Sequence, residues 1–450
     1  MSNNTATERP PRRSTESHTA FFRQSGWLVV ATVSSGLFMT ATQVVANRWM
    51  TREEYGIWFA LLRIFLLMSI PSAGLQIVFA QQTAAAVTDE KYRLLAQTVR
   101  GTLRATFLIW LAMAAVAFRG WHHWIALLKI SNPAALGVTV AIGLASLWLP
   151  VLKGVLQGLQ NFLGLGWVLI IDGVGRFAAI AVILWLGGQA AGGMTGALIG
   201  QAVGVLVGAW LIRHLLLASG ERMAWRPWLR SVVPLTLGIG VVQFMSNADV
   251  VFVQSTFSAE QTPLYMPAAM IGLALMTFTG PLTSVMFPKI VRSVALTQDT
   301  RALRQALGAS ASLGAAAAFA CTLLPKLPLR IIYFSKPEYW DAAPLVPWFV
   351  WSLLPLVLAN VLISNLLARE RFAIVPWLVL VGLGYGAGLA AWKPHLVVME
   401  QFQAFRTVIQ TLGAFSLLLL GVATLFTWRD KIQVQERKTR SNPSQPAAVS

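Results

Sequence analysis

Hydrophobic residues in this chain fall into long unbroken runs, separated by short polar and mostly basic breaks. Twelve runs stand out: Trp27–Ala46, Ile57–Phe79, Leu103–Phe118, Ala134–Leu156, Trp167–Leu186, Met194–Leu217, Val232–Val253, Leu264–Phe287, Gly308–Leu324, Ala342–Leu367, Phe372–Ala391 and Phe405–Phe426. Most approach or exceed the roughly 18 to 20 apolar residues that cross a bilayer as a helix. The third and ninth are the weakest, being short or alanine-rich. Met1–Phe22 and Arg429–Ser450 are polar and charged, the composition of a disordered tail. The pattern predicts an all-α integral membrane protein with about twelve transmembrane helices. Its parts are a tail over 1–22, six helices over 23–217, a basic linker over 218–230, six more helices over 231–428 and a second tail over 429–450.

The two sets of six read as a repeat. A short polar hinge, Thr51-Arg52-Glu53-Glu54-Tyr55-Gly56, introduces the second run, and a weaker copy, Ser258-Ala259-Glu260-Gln261-Thr262-Pro263-Leu264-Tyr265, introduces the eighth. Setting Glu53 on Glu260 gives an offset of 207 (260 − 53), which places Gly56 on Pro263, Trp58 on Tyr265 and Gly74 on Pro281. Because each half holds an even number of crossings, the second half enters with the orientation of the first. The expected arrangement is two six-helix lobes related by a pseudo-two-fold axis along the membrane normal, a common plan of secondary transporters.

Composition sharpens this. The chain is 56% hydrophobic and 12% charged, with a mean hydropathy of +0.63, which excludes a soluble protein. The polar first twenty residues predict no cleavable signal, and the Arg12-Arg13 pair is followed by Ser-Thr-Glu rather than an apolar stretch. A net charge of +18 invites a nucleic-acid reading, but the basic residues sit in the breaks between runs, where they face anionic lipid headgroups. Membrane lipids are therefore the expected partners, and nucleic acid is not. Of the 35 Lys and Arg residues, 24 fall on the side that holds both termini, nine on the other, and Arg63 and Arg176 lie inside helices. That bias predicts cytoplasmic termini. Cys321 as the single cysteine, five scattered histidines and the lack of a credible nucleotide or zinc motif predict no metal and no cofactor.

Ionisable groups within membrane helices are costly and draw attention first. Asp172 and Arg176 are four apart on the fifth run, hence on one face. They fit a self-neutralising structural pair or a cavity lining. Lys153, near the end of the fourth run, is expected to snorkel to the headgroups. Glu53, Glu54 and Glu260 are expected as turn or helix-start residues. Arg63 lies six residues into the second run, about 9 Å along a helix. Asp249 lies in the outer part of the seventh, which runs the opposite way, so the two reach similar depth. Their repeat counterparts, Met270 and Thr42, are uncharged, which favours function over scaffold. Pro71, Gly74, Pro234, Pro281 and Pro355 mark expected bends. The outer loops are too short for a polymerase or ligase active site.

Arg52–Trp58 (Arg-Glu-Glu-Tyr-Gly-Ile-Trp), Asn247-Ala248-Asp249, and Leu264-Tyr265-Met266-Pro267-Ala268-Ala269 with the Phe287-Pro288-Lys289 exit together carry a resemblance. The sequence resembles the polysaccharide-export branch of the multidrug/oligosaccharidyl-lipid/polysaccharide exporter superfamily, though Pro263 stands where that family commonly has Gly. The resemblance implies a V of two lobes with helices 1, 2, 7 and 8 lining a cavity. It further implies a flippase for undecaprenyl-diphosphate-linked oligosaccharide in the inner membrane, serving O-antigen, lipopolysaccharide or exopolysaccharide synthesis, with polysaccharide polymerase machinery as a partner. On that reading Arg63 and Arg176 bind diphosphate or sugar, since a planar guanidinium grips oxygens bidentately. Asp249, with Asp172, then gates or couples ions. A cation-coupled drug antiporter of the same superfamily remains the alternative, and a membrane glycosyl polymerase a weaker one.

Overall fold

The computed structural model describes residues 18–86, 88–218, 225–258, 260–276 and 301–441. Among them are twelve long or apolar helices in two sets of six. The first set is α1 (His18–Trp49), α2 (Arg52–Ala84), α3 (Asp89–Arg119), α4 (Ala134–Gly158), α5 (Phe162–Trp185) and α6 (Gln189–Leu211). The second begins with α7, made of Trp225–Met245 and Ala248–Thr256, and α8, described over Thr262–Met276. It continues with α9 (Arg301–Leu323), α10 (Pro337–Ala368), α11 (Phe372–Leu396) and α12 (Gln401–Ser441). The weak third and ninth runs both form helices long and apolar enough to span.

Helix ends depart from the hydropathy reading where charge continues a helix out of the membrane. α3 starts at Asp89, fourteen residues before the apolar run at Leu103, because Thr88 caps it by accepting from Lys91 N and Asp89 and Glu90 oppose its dipole. α12 continues to Ser441, through a stretch expected as tail, on good helix formers such as Gln, Glu, Lys and Arg. Residues 1–17 and 442–450, part of the linker, Pro281 and the Phe287-Pro288-Lys289 exit lie outside the described residues.

Packing follows the repeat. In the first lobe α4 packs on α6, α5 on α6 and α1, and α3 on α4; in the second, α10 packs on α12, α11 on α12 and α7, and α9 on α10. Each contact maps onto its partner by adding six to both labels. Residues related by the offset also meet at the axis: a Cβ placed on Gly56 would lie 3.6 Å from Pro263 Cγ. Outside the lobes, large apolar side chains such as Leu108, Trp185, Leu206 and Leu383 are exposed, as the lipid-facing belt of a membrane protein requires.

Among the described residues the lobes join mainly through α2 and α7. α2 bends at Ser69, where Pro71 lacks the N–H that would reach back one turn. Past the bend it lies so close to α7 that a Cβ on Gly74 would sit 2.5 Å from Thr236 Oγ1 and 2.8 Å from Thr236 N. Gly74→Ala is expected to push α2 from α7 and lower the thermal midpoint in detergent, with an overpacking cost of roughly 1–3 kcal/mol. An unchanged midpoint would show that the helices do not approach this closely.

Candidate functional site

Two buried charged clusters lie in the membrane-embedded part. The first is between the lobes. Thr51 caps α2, its hydroxyl accepting from Glu54 N at 3.4 Å, and the helix then carries Arg63 into the interface, where it is 2% exposed. Opposite it α7 breaks at Ser246-Asn247, and the break supplies acceptors that a continuous helix would keep for itself. Arg63 Nη1 donates to Asn247 Oδ1 at 2.8 Å and to Ser246 O at 3.4 Å. Asn247 Nδ2 in turn donates to Gln243 O at 2.7 Å, which fixes the amide with its oxygen towards the arginine. The guanidinium also lies 4.6 Å from the Phe59 ring centroid.

Asp249 follows in the first turn of the resumed helix and is 2% exposed. One carboxylate oxygen accepts from Tyr265 Oη on α8 at 2.8 Å. The other, Oδ1, is buried with no hydrogen-bond partner among the described residues. Arg63 and Asp249 make no ion pair within 4 Å, although their charges act on each other. The two charges reach similar depth, but each has its own neutral partner: Asn247 for the arginine and Tyr265 for the aspartate. Asn247 was visible in the sequence as part of the Asn-Ala-Asp stretch. Its role as the arginine's partner depends on the helix break, and Tyr265 depends on α8 folding back.

The second cluster lies within the first lobe. α5 contains a π-helical turn, Ile171–Gly175, with Asp172 in it, a distortion often found at functional positions. Arg176 Nη2 pairs with Asp172 Oδ1, and Lys153 Nζ on α4 pairs with Asp172 Oδ2 at 2.8 Å. Lys153 therefore does not snorkel. Its side chain is 13% exposed, because a carboxylate on the neighbouring helix holds it better than the headgroups would. Arg176 is pressed against α6 at Gly200, where a Cβ would come within 2.5 Å of Arg176 Cα. Its guanidinium lies 5.8 Å from the Phe65 ring, and its Nε has no partner among the described residues. One anion between two cations leaves the cluster with a single net positive charge.

The face opposite the termini is closed between the lobes. Tyr55 Oη and Tyr333 Oη hydrogen-bond at 2.9 Å, and Tyr339 packs against both rings at 5.9 and 5.1 Å. Burial pushes the Tyr333 hydroxyl well above the ordinary tyrosine range, so it stays protonated and able to donate. Glu54 turns out to be more than a helix start: its carboxylate accepts from Ala190 N at 3.0 Å and from Ser131 Oγ, tying α2 to the beginnings of α4 and α6.

Arranged this way, the chain is similar to a solved structure described as the inward-facing conformation of a multidrug resistance MATE family transporter of the MOP superfamily. The TM-score is 0.72 at 11% identity, over 90% of this chain and 96% of that one. This is the fold of MOP-superfamily transporters. An outward-facing conformation from the MATE family gives a lower TM-score of 0.62 at 12% identity, over 92% of this chain and 96% of that one. The lipid II flippase MurJ in an inward closed conformation gives 0.66 at 14% identity, over 89% of this chain and 87% of that one. No family profile matches the sequence, and no curated protein matches it. The even number of helices brings the two ends of the described chain, His18 and Ser441, to one face.

Proposed function

We propose that this protein is a flippase that moves lipid-linked oligosaccharide, of the undecaprenyl-diphosphate kind, across the inner membrane for surface polysaccharide synthesis. The carrying observation is Arg63. It is a permanently charged group buried between two lobes, held by one neutral amide and one carbonyl rather than by a carboxylate. Such partners can be exchanged for phosphate oxygens without leaving a bare anion behind, and arginine suits a diphosphate. The likeness to a lipid II flippase supports a lipid-linked substrate. Arg176 offers its unpartnered Nε as a second contact to diphosphate or sugar. Asp249 gates the interface, and Asp172 sets the charge around Arg176. The face bearing the termini is cytoplasmic, by the segregation of Lys and Arg. Polymerase machinery would receive the flipped unit outside.

The antiporter reading rests on one observation, the buried Oδ1 of Asp249, which has no side-chain partner among the described residues and could take a proton or a cation. Purified protein in vesicles separates the two. Fluorescent undecaprenyl-diphosphate oligosaccharide in the inner leaflet should become accessible to an external enzyme or quencher faster with protein than without. If lipid-linked sugar stays put while a cationic dye moves against a proton or sodium gradient, the antiporter reading replaces the flippase.

A further inference from the structure

Two lysines on the closed face share one geometry, and neither belongs to the charged clusters described above. Lys129 ends the short helix Trp121–Leu128 of the first lobe in a left-handed conformation, φ 54°. Its ammonium crosses to the second lobe, donating to Gln254 O at 3.1 Å and to Phe257 O, at the C-terminal end of α7. Lys336, after the short helix Lys326–Ile332 of the second lobe, crosses the other way and donates to Met50 O at 2.6 Å, just past the end of α1. The lysines stand 207 positions apart (336 − 129), and so do the acceptors Phe257 and Met50 (257 − 50). That is the offset of the repeat. α1 and α7 are repeat partners, so each lobe offers a lysine to the outer end of the other's first helix.

Chemistry explains why the acceptors are helix ends. The last carbonyls of a helix lack intrahelical partners and carry the negative end of its dipole. A lysine ammonium satisfies both. Gln254 Nε2 adds a return bond to Leu128 O at 3.1 Å. Neither lysine has a carboxylate within 4 Å among the described residues. Burial lowers both ammonium groups below the ordinary lysine range, Lys393 adding to this at Lys129 and Glu338 opposing it at Lys336.

We infer that Lys129 and Lys336 form a reciprocal clasp that holds the outer gate shut and sets how often the transporter opens outward. The inference rests on the transporter reading but not on its substrate. To release cargo outside, the ends of α1 and α7 must leave the opposite lobe, and both lysine contacts must break together. Because each lysine acts on the same closed state, the two contributions multiply in the opening equilibrium.

The test uses full-length protein in membranes with Cys321→Ala and a reporter cysteine replacing Asn47, which is fully buried at the outer end of α1. An impermeant thiol reagent is applied from the outer face. Lys129→Met and Lys336→Met should each raise the labelling rate roughly threefold to tenfold, and the double variant by about the product. Lys→Arg at either position should keep labelling near the starting rate. In parallel, spin labels at Gln160 and Glu370, exposed loops on the terminus-bearing face of the two lobes, should move closer in the Met variants as that face closes. Equal labelling in the parent and both Met variants overturns the clasp. So does faster labelling with the Gln160–Glu370 distance unchanged or broadened, since that is loosening rather than a shift between states. An effect of one lysine without the other overturns the reciprocity. None of these readouts moves if only the assignment of the substrate is wrong.

Discussion

Asp172→Ala is expected to lower the stability of the first lobe more than any other single change in its interior. The carboxylate is the sole anion between Lys153 and Arg176, whose side chains are 13% and 6% exposed. Removing it leaves two like charges facing each other, away from water. Losing one partner of a buried ion pair costs roughly 3–5 kcal/mol, because the remaining charge keeps its desolvation penalty. Lys153→Met should cost far less, since Asp172 keeps Arg176. The triple change Lys153→Met, Asp172→Leu, Arg176→Met should recover much of the loss, as apolar replacements of whole buried networks often do. Thermal unfolding in detergent reads all three. A midpoint for Asp172→Ala equal to wild type would show that the cluster is hydrated and not structural. If the triple variant folds well yet no longer transports, Arg176 also meets the substrate.

Under the proposed flippase function, Arg63→Ala should reduce flipping about tenfold to a hundredfold, the scale of one lost charge-assisted hydrogen bond of roughly 1.5–3 kcal/mol. Arg63→Lys should recover only part of it, because an ammonium cannot reach Asn247 and a phosphate as a planar fork can. Asp249→Asn, which keeps an acceptor for Tyr265, should be milder than Asp249→Ala. In the cycle Arg63→Ala with Asp249→Ala, the double variant should lose slightly less than the sum, since the two buried charges attract each other across the interface without touching. The cycle Arg63→Ala with Asn247→Ala should show the larger coupling, because those two side chains touch. Strict additivity in both cycles would remove Arg63 from the gate and leave it a substrate contact only.

The sequence by itself determined the class of protein, the number of helices and the parallel repeat. Apolar runs must span a bilayer as helices because backbone groups find no water there, so their length and number are legible without a fold. The repeat was legible because the Glu53 and Glu260 hinges share one offset, and the Gly56–Pro263 contact at the axis follows from it. Arg63, Asp249, Asp172 and Arg176 could be singled out because charge in a membrane helix is expensive wherever it points. What each charge touches was decided only by the tertiary structure. Arg63 and Asp249 both reach the interface, but the break in α7 put Asn247 and Ser246 O in front of the arginine and left Asp249 to Tyr265. Hydropathy does not record where a helix unwinds. Lys153 sits on α4 and Asp172 on α5, and no periodicity along one helix could join them. The crossed contacts of Lys129 and Lys336 were hidden for the same reason. Basic residues in loops look alike in sequence, and only the closure of two lobes brings one ammonium to a particular helix end.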